Sequence, residues 1–374
     1  MGPIYHMTYL QAIVIGLVQG LTELFPVSSL GHTVLVPSWL GGTWSTLVRQ
    51  ESQPESPYLA FIVGLHLATA LVLIGYYWQT WLRILGGLVT SIRQRRIRTA
   101  DERLAWLLII ATIPVGIAGL ALEHTFRVLF AKPAAAAVFL TINGGILFLG
   151  ERYRRRDARL TAAAQQAPGT AAVTERLSSP AAAGAAGTGL ARGEPAPAAG
   201  QTGQPGGAQP QLGQTGIAGP GGAGDRHDSL RARVGRDQAA GLAADQRLSR
   251  LGVASALCIG ASQILALLAG ISREGVTMAG GLIRGLGHED ALRFSFLLST
   301  PVILAAGALK VPDLTGPHGN GIHGQVVAGS VAAAVTSLFA VIFLARWFRT
   351  RTLTPFAIYC VAAGLISIVR FGIF

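Results

Sequence analysis

Residues 19–32 place ionisable and hydroxyl side chains directly after an apolar run, in the order Gln-Gly-Leu-Thr-Glu-Leu-Phe-Pro-Val-Ser-Ser-Leu-Gly-His. Two adjacent serines, Ser28 and Ser29, follow a proline. Glu23 precedes them and His32 follows them. A hydroxyl close to a group that can take its proton is the arrangement that an activated nucleophile requires. Because ionisable side chains are costly at membrane depth, we interpret this stretch as functional.

The same pattern returns, at a constant offset, in the second half of the chain. The matched pairs are Ser28 with Ser272, Gly31 with Gly275, and Thr33 with Thr277. At this offset Glu23 corresponds to Leu267. Ser29, in turn, corresponds to Arg273. The first copy therefore offers a carboxylate, hydroxyls and an imidazole, whereas the second offers a guanidinium, and we expect the two copies to form one site.

The second copy has residues suited to binding phosphate. Arg273 offers a planar fork of N–H donors that matches phosphate oxygens. Ser272 and Thr277 add hydroxyls. Gly270 and Gly275 can expose backbone N–H groups near the start of a helix. A carboxylate beside a phosphate site also predicts a divalent cation, Mg²⁺ or Ca²⁺, since the ligands are all oxygens.

Several of these residues also have a structural interpretation. Ser28 and Ser29 are good helix caps after a proline. His32 could be a hydrogen-bonded core histidine, and Arg273 could reach the membrane interface. His66, in a later apolar run, could approach the site or simply pack. The repeat favours function for the hydroxyls, and the role of His66 stays open.

The composition indicates a polytopic helical membrane protein. Of the 374 residues, 51% are hydrophobic and 13% charged, and the mean hydropathy is +0.47. Several apolar runs approach the roughly 20 residues that span a bilayer core. The net charge of +12 comes from arginines beside the ends of apolar runs, which is typical of topology signals and not of nucleic-acid binding. Cys258 and Cys360 lie in apolar runs and are interpreted as packing residues.

We predict an all-α polytopic membrane protein with two inverted-topology repeats, each a re-entrant helical hairpin followed by three transmembrane helices. The first repeat (1–150) has its hairpin at 8–24 and 28–40 and its spans at 59–79, 104–122 and 134–150. The second repeat (251–374) has its hairpin at 251–269 and 276–287 and its spans at 291–310, 325–347 and 353–373. An odd number of crossings inverts the second hairpin, so both broken helices can meet near the midplane.

The two repeats are joined by an Ala/Gly/Pro-rich segment, 151–250. Its central part, 157–248, lacks aromatics and sustained periodicity and is predicted to be a disordered cytoplasmic linker. The arginine-rich segments 83–103 and 346–351 are expected on the same cytoplasmic side, with both termini outside.

The quoted motifs resemble those of a known family, the bacterial undecaprenyl-diphosphate phosphatases of the bacitracin-resistance type. Residues 19–32 resemble the first signature. Gly-Ile-Ser-Arg-Glu-Gly-Val-Thr at 270–277, followed by Arg-Phe-Ser-Phe-Leu-Leu at 293–298, resembles the second. Pro-Phe-Ala-Ile-Tyr at 355–359 is similar to the family's last span. The resemblance covers both membrane repeats and omits the linker.

The resemblance implies a multi-pass hydrolase of the bacterial cytoplasmic membrane that converts undecaprenyl diphosphate to undecaprenyl phosphate and inorganic phosphate. This reaction recycles the lipid carrier for peptidoglycan synthesis, confers bacitracin resistance, and would occur at a site open to the outer face. By position, Glu23 matches an acid of the first motif, Ser29 a nucleophile or phosphate ligand, and His32 a base or alternative nucleophile. The phosphate-binding stretch is implied for Ser28, Ser272, Arg273, Gly275 and Thr277.

Two of the departures from the family pattern concern the carboxylates of the site. Gln19 replaces the first acid of the first motif, and Glu274 stands where the family usually has serine. Glu274 could pair with the neighbouring Arg273, or it could restore the missing carboxylate and bind the divalent cation together with Glu23. We favour the second role for Glu274.

Two other functions remain open. Inverted repeats with broken helices are also transporter architecture, so the alternative is a transporter or flippase for an anionic lipid or small anion. A third interpretation is a relative that binds lipid phosphate without turnover. The expected partners are a polyprenyl diphosphate lipid and membrane lipid, without nucleic acid, and a homodimer is left open.

Overall fold

The computed structural model describes residues 7–51, 57–130, 132–166, 235, 238–315 and 321–372. These residues form α-helices, one 3-10 helix and short connections, which confirms the all-helical prediction. The chain divides into two compact units, one comprising 1–158 and 240–374 and the other 159–239. Everything below concerns the first unit unless stated otherwise.

Seven helices are described in the N-terminal half. They are α1 (Tyr9–Leu24), α2 (Ser29–Leu40), α3 (Gly42–Glu51), α4 (Pro57–Tyr76), α5 (Trp78–Gln94), α6 (Ala100–Phe130) and α7 (Pro133–Gln166). The C-terminal half has α8 (Gln238–Ser249), α9 (Val253–Ser262), a 3-10 helix (Gln263–Leu267), α10 (Arg273–Ile283), α11 (His288–Thr315), α12 (His323–Trp347) and α13 (Thr354–Gly372).

Five described helices are long and apolar enough to cross a membrane. These segments are Ala100–Leu122, Pro133–Leu160, His288–Leu309, His323–Trp347 and Thr354–Gly372. The number rises to seven if two bent pairs are each one span: Phe61–Tyr76 with Trp78–Gln94, bent by 84°, and Gln238–Ser249 with Val253–Leu267, bent by 102°. The chain is therefore a multi-pass membrane protein with five to seven candidate spans.

The first broken helix pair follows directly from local sequence signals. Helix α1 starts with a capping box, in which Thr8 accepts from the Gln11 backbone N–H and the Gln11 side chain accepts from the Thr8 backbone. It ends at Leu24, because Phe25 is extended and Pro26 cannot continue the helix. Helix α2 then begins after Ser28, close to the predicted bounds of 8–24 and 28–40.

The predicted span 59–79 and arginine-rich loop 83–103 need correction. Helix α4 ends at Tyr76, and α5 occupies 78–94 at an angle of 84° to it. The sequence interpretation treated the arginines as loop markers. It overlooked the helical spacing of the apolar residues among them, which makes α5 an amphipathic helix.

The structure also differs from the predicted linker at both of its ends. Helix α7 continues to Gln166, and α8 occupies the last part of the segment. Asp245 of α8 is buried and lies 2.6 Å from Arg83 Nη2 of α5 and 2.7 Å from Arg293 Nε of α11. Hence α8 packs against the membrane helices through ion pairs. The interior of the predicted linker, 167–234, lies outside the described residues.

Helix α1 is held in place by α12. A Cβ added at Gly20 would collide with the carbonyl oxygen of Ala333, so only glycine permits this close approach. The Ser337 hydroxyl donates to the Gly20 carbonyl at 3.0 Å. This packing fixes the C-terminal end of α1, where Glu23 lies.

Candidate active site

Helices α2 and α10 each begin with a serine that caps the helix. The Ser28 Oγ accepts from the backbone N–H of Gly31 at 3.2 Å at the start of α2. The Ser272 Oγ accepts from the N–H of Gly275 at 3.0 Å at the start of α10. The serine and glycine pairs that repeat in the sequence are therefore equivalent N-terminal caps.

The two starts touch each other. The Ser28 Oγ also accepts from the backbone N–H of Gly270 at 3.2 Å, across 242 positions of sequence. A Cβ added at Gly31 would lie 2.9 Å from the Gly270 Cα. Gly270 itself has a φ of +114°, which L side chains rarely adopt. The two copies of the motif are thus brought together, as the sequence repeat predicts.

A buried amide on α7 connects both broken helices. Asn143 donates from Nδ2 to the Pro26 carbonyl at 3.0 Å, and its Oδ1 accepts from the Ser272 N–H at 3.0 Å. Its side chain is fully buried. The sequence interpretation missed this residue; its only signal was a lone amide within the apolar run 134–150.

Glu23 is the centre of the polar cluster. Its carboxylate accepts a hydrogen bond from the Ser29 hydroxyl. His66 Nε2 lies 3.1 Å from the same oxygen, and Arg273 Nη1 lies 3.7 Å from the other oxygen. These residues line a cavity of about 20 Å³ together with Ser28 and Ser272. That volume suits about one water molecule.

The open question about His66 is answered by its position in α4. Its Nδ1 lies 2.9 Å from the carbonyl oxygen of Ile62, while its Nε2 faces the Glu23 carboxylate. Both neighbours accept hydrogen bonds, so the ring must donate from both nitrogens when Glu23 is ionised. His66 is therefore a cationic partner of Glu23 in that state.

His32, by contrast, is engaged elsewhere. Its Nδ1 lies 2.6 Å from the Ser28 carbonyl oxygen, and its Nε2 lies 2.8 Å from the Tyr359 hydroxyl of α13. Among the described contacts, neither ring nitrogen meets Ser29 or Glu23, and His32 does not line the cavity. The structure thus pairs the carboxylate with His66, whereas the sequence suggested His32 as the neighbour of the serines.

The predicted phosphate ligands divide into two groups. Ser28, Ser272 and Arg273 line the cavity. Gly275 and Thr277 do not, since the Gly275 N–H is used by the Ser272 cap and the Thr277 hydroxyl donates to the Arg273 carbonyl at 2.7 Å. Arg273 Nη1 is buried without a hydrogen-bond partner in the described part of the chain. The ion pair of this atom with Glu23, at 3.7 Å, is too long to be a hydrogen bond.

Glu274 does not line the cavity that contains Glu23. Its buried carboxylate accepts from the Ser295 hydroxyl of α11. The described ion pairs include Arg273 with Glu23 but not Arg273 with Glu274. Adjacent side chains on a helix diverge by about 100°. Arg273 therefore reaches the cavity while Glu274 turns towards α11.

The donor set permits only a sparsely liganded cation. No three His, Cys, Asp or Glu side chains gather into a metal cluster among the described residues. Among the residues that the structure describes, Glu23 is the one carboxylate lining the cavity. Gln19, at the position of the missing acid, is buried and accepts from the Thr69 hydroxyl at 3.3 Å. Such a site fits Mg²⁺, which keeps several waters and takes one or two carboxylates plus substrate phosphates.

Fold and site together define an integral-membrane helical protein whose two broken helix pairs enclose a carboxylate–hydroxyl–guanidinium cluster. The chain matches the family model described as bacitracin resistance protein BacA over residues 12–174 and 231–366. It belongs to this family, as the resemblance of its motifs suggested.

Several relatives of closely similar length are named for a specific activity. The chain is 50% identical over 372 residues to undecaprenyl-diphosphatase 2 of Frankia alni, covering 99% of both chains. It is 48% identical over 364 residues to undecaprenyl-diphosphatase of Mycolicibacterium paratuberculosis, covering 97% of both. It is 35% identical over 370 residues to undecaprenyl-diphosphatase of Granulibacter bethesdensis, covering 97% of this chain and 96% of the relative.

Proposed function

We propose that this chain is an undecaprenyl-diphosphatase. It hydrolyses undecaprenyl diphosphate to undecaprenyl phosphate and inorganic phosphate, which recycles the lipid carrier for peptidoglycan synthesis and confers bacitracin resistance. The observation that carries this conclusion is the hydrogen bond from the Ser29 hydroxyl to the Glu23 carboxylate, with Arg273 beside it. The names of full-length relatives and the family membership support the same activity.

Substrate binding depends on Arg273. Its Nη1 forms an ion pair with Glu23 but no hydrogen bond among the described residues, so it can donate to an oxygen of the terminal phosphate. A charge-assisted bond of this kind is stronger than a neutral one. The capped starts of α2 and α10 add positive helix-dipole ends that face the same cavity. These groups hold the terminal phosphate next to Ser29.

Glu23 acts as the general base and Ser29 as the nucleophile. As the Ser29 oxygen attacks the terminal phosphorus, its proton passes to the Glu23 carboxylate, to which it is already hydrogen-bonded. The bond from that phosphorus to the bridging oxygen breaks, and undecaprenyl phosphate leaves with the bond electrons. Water then attacks the phosphorus of the phosphoserine, and the bond from phosphorus to the Ser29 oxygen breaks. Inorganic phosphate leaves with both water protons, and the proton held by Glu23 returns to the Ser29 oxygen. His66 holds the carboxylate in position throughout.

We further propose that the reaction uses a divalent cation, Mg²⁺ or Ca²⁺. Glu23 is the residue that would hold it, with substrate oxygens and water as the remaining ligands. When bound, such a cation neutralises the charge on the diphosphate. Glu274 is left out of this proposal, since its carboxylate is directed to Ser295.

The proposed membrane arrangement is two inverted repeats with re-entrant hairpins α1–α2 and α9–α10. Two broken helices support this arrangement, because Ser28 at the start of α2 is hydrogen-bonded to Gly270, just before the start of α10. The site would open to the outer face of the bacterial cytoplasmic membrane, with the arginine-rich segments inside. Cysteine labelling at positions 48 and 95 should then occur from opposite sides.

Transport of an anionic lipid or small anion is the alternative function. Broken helices meeting in a membrane are common in transporters. Transport, however, needs only donors for the anion, whereas this site also has a hydroxyl bonded to a carboxylate base. That feature favours hydrolysis.

The decisive experiment is phosphate release from undecaprenyl diphosphate by the purified full-length protein, with and without EDTA. Ser29→Ala should lower kcat about 10³-fold, because it removes the attacking atom. The matched control is Ser38→Ala on the same helix, whose hydroxyl only donates to the Val34 carbonyl. A wild-type protein that releases no phosphate, or a fully active Ser29→Ala protein, would refute the proposal.

A further inference from the structure

A second cavity lies away from the Glu23 cluster, between the α5–α6 connection, α6 and the start of α9. Its volume is about 370 Å³. The residues that matter for its chemistry are Arg98, Arg103, Trp106, Leu107, Ile110 and Val253. None of them belongs to the proposed diphosphatase site. We call this cavity the α6 groove.

The α6 groove carries a net positive charge from two exposed arginines, Arg98 and Arg103. Neither Arg98 nor Arg103 forms an ion pair among the described residues, and Arg103 Nη2 only donates to the Leu251 carbonyl at 3.4 Å. Of the two acids at the start of α6, Asp101 lies 3.8 Å from Arg83. Glu102 lies at the groove itself, where its carboxylate accepts from the backbone N–H groups of Arg98 at 2.5 Å and Thr99 at 3.1 Å. Two arginines against one carboxylate leave a net positive charge for an anion.

The α6 groove also has an apolar lining. Among its residues Leu107 is buried, Ile110 is half-buried and Val253 is 52% exposed. Trp106 donates from Nε1 to the Ser91 hydroxyl at 3.0 Å, which fixes its indole against α5. A groove lined by both arginines and apolar side chains suits a ligand with an anionic head and a hydrocarbon chain.

The distribution of buried, apolar and polar residues around helix α5 indicates the depth of the α6 groove in a membrane. One side of this helix, with Thr80, Ile84 and Ser91, is buried against the protein. A second side is exposed and apolar; its residues are Trp78, Leu82, Leu85, Val89 and Ile92. The remaining side carries polar groups such as Thr90 and Arg93. This division, together with the bend of 84° from α4, is typical of a helix in the plane of the membrane interface.

A helix in that plane brings the connection from α5 to α6 to the level of the lipid headgroups. Residues 97–99 form part of this connection and also line the α6 groove. We propose that the α6 groove binds an anionic phospholipid, with its phosphate between Arg98 and Arg103 and an acyl chain along Leu107, Ile110 and Val253. Arginine forks match phosphate oxygens, and basic residues at this depth attract anionic lipids.

The test measures lipid retention by native mass spectrometry of the purified full-length protein, titrated with phosphatidylglycerol or phosphatidylcholine. Wild type should retain phosphatidylglycerol in preference to phosphatidylcholine. Arg98→Gln with Arg103→Gln should weaken phosphatidylglycerol binding about tenfold or more, given the contribution of each basic residue near a charged membrane surface. The matched control, Arg93→Gln with Arg96→Gln, removes the same charge from exposed positions outside the groove and should change binding less than about twofold.

A second variant tests the apolar wall. Val253→Trp should fill part of the α6 groove and weaken lipid binding without altering any charge. Inorganic phosphate at millimolar concentration should not displace the lipid, since it gains nothing from the apolar wall. Equal loss in the control variant, equal retention of phosphatidylcholine, or displacement by inorganic phosphate would each overturn the proposal. Lipid binding is measured without undecaprenyl diphosphate, so this outcome is independent of the diphosphatase assay.

Discussion

His32 Nε2 lies 2.8 Å from the hydroxyl of Tyr359, and the two rings stack with their centroids 5.8 Å apart. This contact joins α2, which follows the helix break at Phe25 and Pro26, to α13, the last described helix. The tyrosine ends the motif at 355–359 that resembles the family's last span. The pair therefore orients the start of α2, where Ser28 and Ser29 lie, from the far end of the sequence.

We expect Tyr359→Phe to reduce activity only modestly. It removes one hydrogen bond worth about 0.5–1.5 kcal/mol and keeps the stacked ring. kcat/KM should fall less than about tenfold, far less than for Ser29→Ala. Ser367→Ala is the control, because it removes the bond from Trp39 Nε1 at 3.1 Å, which also joins α2 to α13. A loss of activity as large as that of Ser29→Ala would mean that His32 acts on the substrate.

Replacing the proposed base should abolish most of the activity while leaving the fold intact. Glu23→Gln keeps the size of the side chain but cannot take the Ser29 proton, so kcat should fall about 10²–10⁴-fold. Glu151→Gln is a matched control, since Glu151 is another buried carboxylate paired with a histidine, His288, at 2.9 Å. Phosphate release and thermal unfolding in detergent should be measured for both. Similar kinetic losses in the two variants would contradict the assignment.

Glu274→Ser should leave the cation requirement unchanged. Its carboxylate is bonded to Ser295 and does not line the cavity that contains Glu23. The Mg²⁺ or Ca²⁺ concentration that gives half-maximal activity should therefore match that of wild type. Ser295→Ala, by contrast, should lower the free energy of unfolding by about 1–3 kcal/mol, because it leaves a buried carboxylate oxygen unpaired. A tenfold shift of the cation midpoint in Glu274→Ser would restore the metal role that the sequence suggested.

We expect helix α8 to be required for stability and residues 167–234, which precede it, to be dispensable. Asp245→Asn leaves Arg83 and Arg293 facing each other without their shared carboxylate, and should cost about 3 kcal/mol. Asp290→Asn is the control, because its partner Arg247 is half exposed and the pair should contribute less than about 1 kcal/mol. Thermal unfolding distinguishes the two. Replacing 167–234 with a short Gly/Ser linker should leave both stability and activity near wild type.

Much of the fold could be predicted because its signals are local. The start of α1 at Thr8, its end before Pro26 and the serine caps of α2 and α10 depend on residues within one helical turn. The repeat of serine, glycine and threonine then indicated that the two helix starts belong to one site. Helix α5 was missed, although its apolar spacing was visible in the sequence, because its arginines were taken as markers of a loop.

What the sequence determined by itself was the chemistry of the site: a carboxylate and a hydroxyl from one copy of the motif, and a guanidinium from the other. Only the tertiary structure decided which histidine meets Glu23. His32 is close in sequence but lies against Tyr359 of α13, whereas His66 reaches the carboxylate from α4. The direction of Glu274 was decided in the same way. Such choices depend on how distant helices pack, and no local pattern in the sequence records that packing.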